Sequence, residues 1–193
     1  MKITTMMTLA AMLGSVALAA AKSEDQKVVA CIEVNQENSN VVAAARMNAT
    51  RVFETVGVNL EWHTDRRFCE AQRDQVIKVS LSLDIPKGLS PGALAYALPY
   101  EGVHIQVFYN RIAAAGKDLR PRLLAYVIVH EITHILQGVN RHSDIGIMMA
   151  HWGLAEYERM KIGQLRFAEQ DVDLIHEGLK VRPAYFGTTV AAR

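Results

Sequence analysis

The chain has 193 residues, half of them hydrophobic, with 21 lysine and arginine residues against 20 acidic residues and a formal net charge of +1. Such a small net charge provides no basic surface for nucleic acid or for an anionic membrane, so we expect neither as a partner. No linker, internal repeat or low-complexity tract divides the chain, and this length fits one domain.

Residues 1–21 have the pattern of a secretory signal peptide: Lys2, then a mostly apolar run, then small residues. The apolar run is short for a transmembrane helix, and no second apolar segment is long enough to span a bilayer. We therefore predict an exported protein, secreted or periplasmic, without a stable membrane anchor once the signal is removed. A single mature domain over 22–193 is expected, with Lys2 lost and a formal charge of zero.

The only two cysteines are Cys31 and Cys69. An exported chain with two cysteines most simply pairs them in a disulfide. The alternative is two buried free thiols. Neither cysteine is near the histidine-containing helix described below, so neither is favoured as a metal ligand.

Hydrophobic periodicity predicts an alternation of strands and helices, the pattern of an α/β or α+β layer. In chain order the pattern predicts a strand at 28–34, a helix at 41–56, strands at 58–62 and 76–83, a loop at 86–91, two short strands or a hairpin at 93–98 and 103–109, a long helix at 119–137, and two shorter helices at 154–162 and 168–179.

The long helix carries the most informative residues of the chain. Pro121 near its start and Gly138 just after its end fit the predicted limits. Because residues four apart lie on one face of a helix, His130 and His134 point at one place and form half of a zinc site. Glu131 between them can reach a metal-bound water and is placed to act as a general base.

An alternative is a buried helix whose histidines merely satisfy local hydrogen bonds. The residues around the motif are apolar, so its polar side chains need partners. One metal ion accounts for all three more simply than three separate hydrogen bonds do. We therefore predict one catalytic zinc ion and metal-dependent hydrolysis.

A catalytic zinc usually has three protein ligands and an open fourth position. His142 is the favoured third ligand, since the chain can turn back across the helix end after Gly138. Glu156 or Glu158 is the alternative, because another class of His-Glu-x-x-His proteases takes a glutamate from a following helix. The remaining histidines have no partner at ligand spacing: His63, His104, His151 and His176.

With this motif, a glycine turn, His142-Ser143 and Gly146-Ile147-Met148, the sequence resembles the metzincin metalloproteases, particularly the matrixin-like branch. Short exported bacterial proteins with the same pattern are also similar. The resemblance implies a metzincin-like α+β fold, with a mixed twisted sheet, an N-terminal helix, an active-site helix and C-terminal helices. It implies a zinc endopeptidase with Met148, or its neighbour Met149, in a turn beneath the metal, and with 103–109 as the edge strand that pairs with an extended peptide or protein substrate.

The spacing departs from the metzincin pattern in one respect. Metzincins place the glycine three residues and the third histidine six residues after the second histidine, where this chain has Gln137 and Asn140. The glycine comes one residue late and the histidine two, so a longer loop must deliver His142. Two alternatives to an endopeptidase remain: a non-catalytic zinc-binding or interaction domain of the same fold, and a zinc amidase that acts on a non-protein amide.

Overall fold

The structure of the protein is a computed structural model that describes residues 26–73, 75–84, 86, 88, 92–97 and 103–181. Its sheet is mixed and has the strand order β2-β1-β3-β5-β4, in which β4 alone runs antiparallel, to β5. The strands are β1 Gln26–Ile32, β2 Val58–His63, β3 Ile77–Ser82, β4 Ala95–Ala97 and β5 His104–Phe108. The helices are α1 Ser39–Glu54, α2 Arg66–Ala71, α3 Tyr109–Ala113, α4 Arg120–Gln137, α5 Leu154–Lys161 and α6 Glu169–Val181.

The predicted α+β fold is confirmed: a mixed sheet carries an N-terminal helix, a central helix with the histidine motif and two C-terminal helices. The predicted strands and helices are present, with ends shifted by a few residues. Two short helices, α2 and α3, were not predicted, because five or six residues are too few to show a helical period. The predicted signal peptide, the turn before β5 and the tail after residue 181 lie outside the described residues.

One prediction about the sheet is wrong. The segment 103–109 was expected to be the edge strand, but β5 lies between β3 and β4, and β4 forms the edge. The reason is the hairpin: β4 folds back along the outer side of β5 and occupies the position where a substrate was expected to pair. Any pairing at this edge must therefore involve β4.

Strand β1 is buried on both faces, as expected for a central parallel strand. Val28, Ala30 and Ile32 belong to the main core with α1 and α4, while Val29 and Cys31 point to the opposite face. On that face a disulfide joins Cys31 to Cys69 of α2. The bond fastens α2 to the sheet on the side away from the histidine motif.

Helix α4 is the centre of the core, because every residue from 123 to 137 is buried. Pro121 lies in its first turn, and Gly138 ends it in the left-handed conformation with a φ of 66° and an N–H that donates to the His134 carbonyl at 2.9 Å. Neither α4 nor any other described helix combines the length and apolarity that a bilayer crossing requires. The burial is that of a helix enclosed by α1, the sheet and α6.

Helix α6 lies against the C-terminal end of α4 at a point where a side chain would not fit. A Cβ atom added to Gly178 would lie 1.8 Å from the carbonyl oxygen of Leu136. Glycine allows the two backbones to come this close. The contact brings the first turn of α6 near the loop that follows α4.

Candidate metal centre

Three histidines converge at the end of α4. His130 and His134 come from the helix itself, and His142 comes from the loop after Gly138. Their ligand nitrogens all lie within 4.8 Å of one another, and the Nε2 atoms of His130 and His134 are 3.1 Å apart. The longer spacer thus brings His142 to the helix pair.

The hydrogen bonds of the helix histidines use Nδ1 and leave Nε2 able to bind a metal ion. Nδ1 of His130 donates to the carbonyl of Ile147 at 2.9 Å, and Nδ1 of His134 donates to that of Val139 at 3.2 Å. These partners assign the neutral tautomer whose Nε2 carries a lone pair, the arrangement typical of metal-bound histidine. Burial lowers the pKa of His130 to about 3 and that of His134 to about 4, so both rings are neutral at physiological pH.

The spacing of the nitrogens fits a zinc ion. Zinc–nitrogen bonds of 2.0–2.1 Å in a tetrahedron separate two ligand nitrogens by about 3.3 Å. The observed 3.1 Å between the helix nitrogens is close to this edge length. Two lone pairs at this distance repel each other unless a cation lies between them. The three histidines therefore fit one zinc ion.

Glu131 lies beside the histidines and is almost wholly buried, with 8% of its surface exposed. Burial raises the pKa of its carboxyl to about 8, although the backbone N–H of Ala97 in β4 donates to it and lowers the pKa in part. A carboxyl with its pKa near neutrality can both accept and release a proton. A cation held by the adjacent histidines would lower this pKa again and favour the carboxylate.

A cleft of about 490 Å³ opens over His130, His142 and Glu131. Its other walls are mostly small or apolar, and Glu131 is the only carboxylate among the described residues that line it. The walls comprise residues 92–95 before and within β4, Val127 of α4, residues 149–152 of the following loop, and Tyr157 of α5.

Strand β4 turns backbone groups away from β5 on the side of this cleft. The Phe108 N–H donates to the Leu94 carbonyl at 2.8 Å, so these two residues form a hydrogen-bonded pair of the hairpin. Because such pairs alternate along antiparallel strands, the backbone groups of Ala95 and Ala97 face away from β5. The contact of Ala97 with Glu131 agrees with this direction.

The alternative third ligands lie elsewhere. Glu156 accepts a hydrogen bond from the Gly153 N–H at 3.0 Å and pairs with Arg159, while Glu158 pairs with Lys161 at the surface. Both carboxylates thus bind partners within or next to α5 and do not join the three histidines. Of the other histidines, His63 stacks on Phe68, His104 is exposed on β5, His176 contacts Gln26, and only His151 lines the cleft.

The loop after the third histidine contains the predicted methionine turn. Met148 is fully buried, and its carbonyl accepts from the Ser143 N–H at 2.8 Å, whereas Met149 lines the cleft. Gly146 has a φ of 80°, and a Cβ there would lie 2.4 Å from the carbonyl oxygen of Arg166. The burial of Met148 agrees with a packing role beneath the histidines, and its assignment as the turn methionine stays a prediction.

Sequence reasoning missed Asp171, which is completely buried on α6. The signal was present in the helix pattern. Asp171, Ile175, Gly178 and Leu179 recur at helical spacing and form the buried face, so a carboxylate stands on an otherwise apolar stripe. A buried charge needs partners, and its appearance at such a position indicates a built interaction.

Neither a protein-family model nor a curated protein sequence matches this chain. The solved structures that are similar to it include the following two. An archaemetzincin from Methanopyrus kandleri has a TM-score of 0.51 and 13% identity, over 83% of this chain and 99% of its own. A zinc-dependent peptidase from Methanocorpusculum labreanum has a TM-score of 0.53 and 12% identity, over 76% of this chain and 99% of its own. The fold is therefore that of known zinc peptidases.

Proposed function

We propose that the protein is an exported zinc-dependent endopeptidase, in which His130, His134 and His142 hold one zinc ion and Glu131 is the general base. The observation that carries the proposal is the buried carboxyl of Glu131 beside three converging imidazoles, two of which line an open cleft together with Glu131. A purely structural zinc site would be closed by a fourth ligand and would have no use for this carboxyl. The resemblance of residues 130–149 to metzincins supports the same function.

Zinc and Glu131 have different roles in the proposed reaction. When bound, zinc supplies Lewis-acid chemistry, which acidifies water and polarises a carbonyl oxygen. Glu131 accepts a proton from the attacking water and delivers it to the amine that leaves when the peptide bond breaks, after which it is a carboxylate again. The small residues around it leave space above the base.

The edge of the sheet is placed to align a substrate. An extended peptide can pair with the outward-facing N–H and carbonyl of Ala95 in β4 and with the carbonyl of Ala97, as peptides do when they add a strand to a sheet. Such pairing would lay the scissile bond over the histidines and Glu131 in a fixed direction. The substrate class is therefore an unfolded or extended segment of a protein or peptide.

Export is supported by two features of the chain. Residues 1–21 have the composition of a signal peptide, and the disulfide between Cys31 and Cys69 is of a kind that persists in oxidising compartments. We place the protein outside the cytoplasm on these grounds.

The test begins with metal content, measured by elemental mass spectrometry on the purified protein and its His142→Ala variant, both prepared without chelators. We expect about one zinc per chain in the wild type, as an open three-histidine site requires, and little in the variant. Full retention of zinc by the variant would remove His142 from the ligand set.

Cleavage is then measured on a quenched-fluorescence peptide library, with products identified by mass spectrometry. Glu131→Gln should keep zinc and lose at least about 100-fold in rate, the usual contribution of a general base. Glu158→Gln makes the same change on the exposed face of α5 and should behave as wild type. Equal rates in Glu131→Gln would refute the mechanism. Zinc without turnover on any peptide would favour the non-catalytic domain, and cleavage of non-protein amides alone would favour the amidase.

A further inference from the structure

The carboxylate of Asp171 lies outside the cleft and makes three contacts, two of which hold the neighbouring loop. It is completely buried in the first turn of α6. It accepts hydrogen bonds from Ser143 Oγ at 2.6 Å, from Arg141 Nη1 at 2.8 Å and from the backbone N–H of Ala168 at 3.3 Å. The contact with Ala168 ties the carboxylate to the start of its own helix, so the carboxylate is held in place relative to α6.

The two side chains that Asp171 binds come from the residues on either side of His142. Arg141 also donates through Nη2 to Gln170 at 2.9 Å, which fastens this side of the loop a second time. Both neighbours of His142 in the chain are therefore held by α6, so the backbone of His142 is restrained on both sides.

His142 needs such support more than the other two histidines do. The rings of His130 and His134 are each held by a backbone carbonyl at Nδ1. Within the described part of the chain, the ring of His142 has no hydrogen-bond partner, and it is the most exposed of the three. A loop two residues longer than the metzincin spacing also has more conformational freedom to lose.

We propose that Asp171 is a positioning residue that fixes the backbone of residues 141–143 and so delivers His142 to the metal. The inference rests on the metal site of the proposed function and not on catalysis. Supporting groups of this kind change metal affinity about 10–100-fold when they are removed. Asp171 would act through His142 alone, and that restriction makes the proposal testable.

The experiment is a double-mutant cycle on zinc affinity, measured by competition with a chromophoric chelator. Asp171→Ala should weaken zinc binding about 10–100-fold in the wild-type background. In the His142→Ala background the same change should have almost no effect, within about twofold. Asp173→Ala is the matched control, because Asp173 is an exposed aspartate on the same helix, and it should leave affinity unchanged in both backgrounds.

The absorption spectrum of the cobalt-substituted protein provides a readout that a general loss of stability would not move. Three histidines should give the intense visible bands of a four-coordinate site, and Asp171→Ala should weaken them toward the spectrum of His142→Ala. Wild-type affinity and spectrum in a folded Asp171→Ala protein would overturn the proposal. So would an equal loss of affinity in both backgrounds, because Asp171 would then act on the whole fold.

If Asp171→Ala does not fold, the cycle is run with Arg141→Gln and Ser143→Ala combined, which removes the two donors and leaves α6 intact. The same pattern is expected and the same two results would contradict it. None of these measurements uses peptide cleavage, so an inactive protein would refute the proposed function without affecting the role of Asp171.

Discussion

Gly178→Ala should destabilise the protein strongly, although it replaces a helical glycine with the best helix former. The new Cβ would lie 1.8 Å from the Leu136 carbonyl oxygen and 2.8 Å from its carbonyl carbon. A normal carbon–oxygen contact is about 3.3 Å or longer, so α6 must move from α4 by about 1.5 Å. Both atoms that clash belong to backbone, so no side-chain rotation can relieve the contact.

The size of the effect follows from two opposing terms. Alanine gains about 1 kcal/mol over glycine within a helix. Overpacking ordinarily costs about 1–3 kcal/mol, and the forced separation of two backbones here exceeds that range, at about 3–5 kcal/mol. Separation also loosens the packing of Ile175 and Leu179, which are buried beside Gly178. We expect a net loss of about 2–4 kcal/mol, which for a domain of this size is a fall in Tm of about 5–15 °C.

The assay is urea and thermal unfolding of the metal-stripped protein, monitored by circular dichroism, so that zinc binding does not mask the change. Gly116→Ala is the control, because a Cβ at Gly116 would meet nothing within 4 Å and its φ is not positive. It should be neutral within about 0.5 kcal/mol. If Gly178→Ala were as stable as the control, the close approach of α6 to α4 would not exist in solution.

Three further predictions concern the site and its surroundings. Gly146→Ala should weaken zinc binding, because its Cβ would meet the Arg166 carbonyl at 2.4 Å and its φ of 80° disfavours a side chain; chelator competition measures this, and unchanged affinity would contradict it. Burial raises the pKa of the Glu131 carboxyl from 4.5 to about 8, so the folded metal-stripped protein retains a proton that the unfolded chain has lost. The contribution of Glu131 to stability should therefore fall as pH rises from about 4.5 to about 8, whereas His130 and His134, whose pKa values are lowered by burial, make stability rise with pH below about 6.5. Glu131→Gln should remove this term, so its free energy of unfolding should exceed that of wild type by several kcal/mol at pH 8 and converge with it near pH 4.5; parallel curves would refute the assignment. The Cys31–Cys69 disulfide closes a loop of 38 residues, and its loss should cost about 3–4 kcal/mol of stability. Zinc stoichiometry should stay unchanged. Unfolding and metal analysis of the reduced protein measure both.

The pairing of the two histidines on α4 was predictable because its geometry is local. The four-residue spacing of His130 and His134 fixes their relation on any helix, and Gly138 marks where that helix ends. The element order was also readable, since alternation and helical period are properties of short segments. The position of His142 beside them required the resemblance as well, because a loop of this length has many possible paths.

Features that depend on distant pairing were not predictable. The position of β4 outside β5 is a relation between two strands that alternation within either strand does not encode. Asp171 contacts Arg141 and Ser143 across 30 and 28 residues of sequence. The sequence shows that Asp171 lies on an apolar helix face, but it does not show which distant residues pair with it. Short helices such as α2 were missed because tertiary contacts and one aspartate cap hold them, not a repeated pattern.

The burial of α4 has a consequence for the order in which the protein is assembled. Fifteen consecutive residues of this helix are removed from solvent by α1, the sheet and α6, and most of them have apolar side chains that cannot bind an ion. Apolar burial on this scale supplies most of the stability of a domain. The chain can therefore fold first and acquire zinc afterwards, unlike small zinc domains that are unfolded without metal. Metal supply would then determine how many molecules carry zinc and not how many are folded.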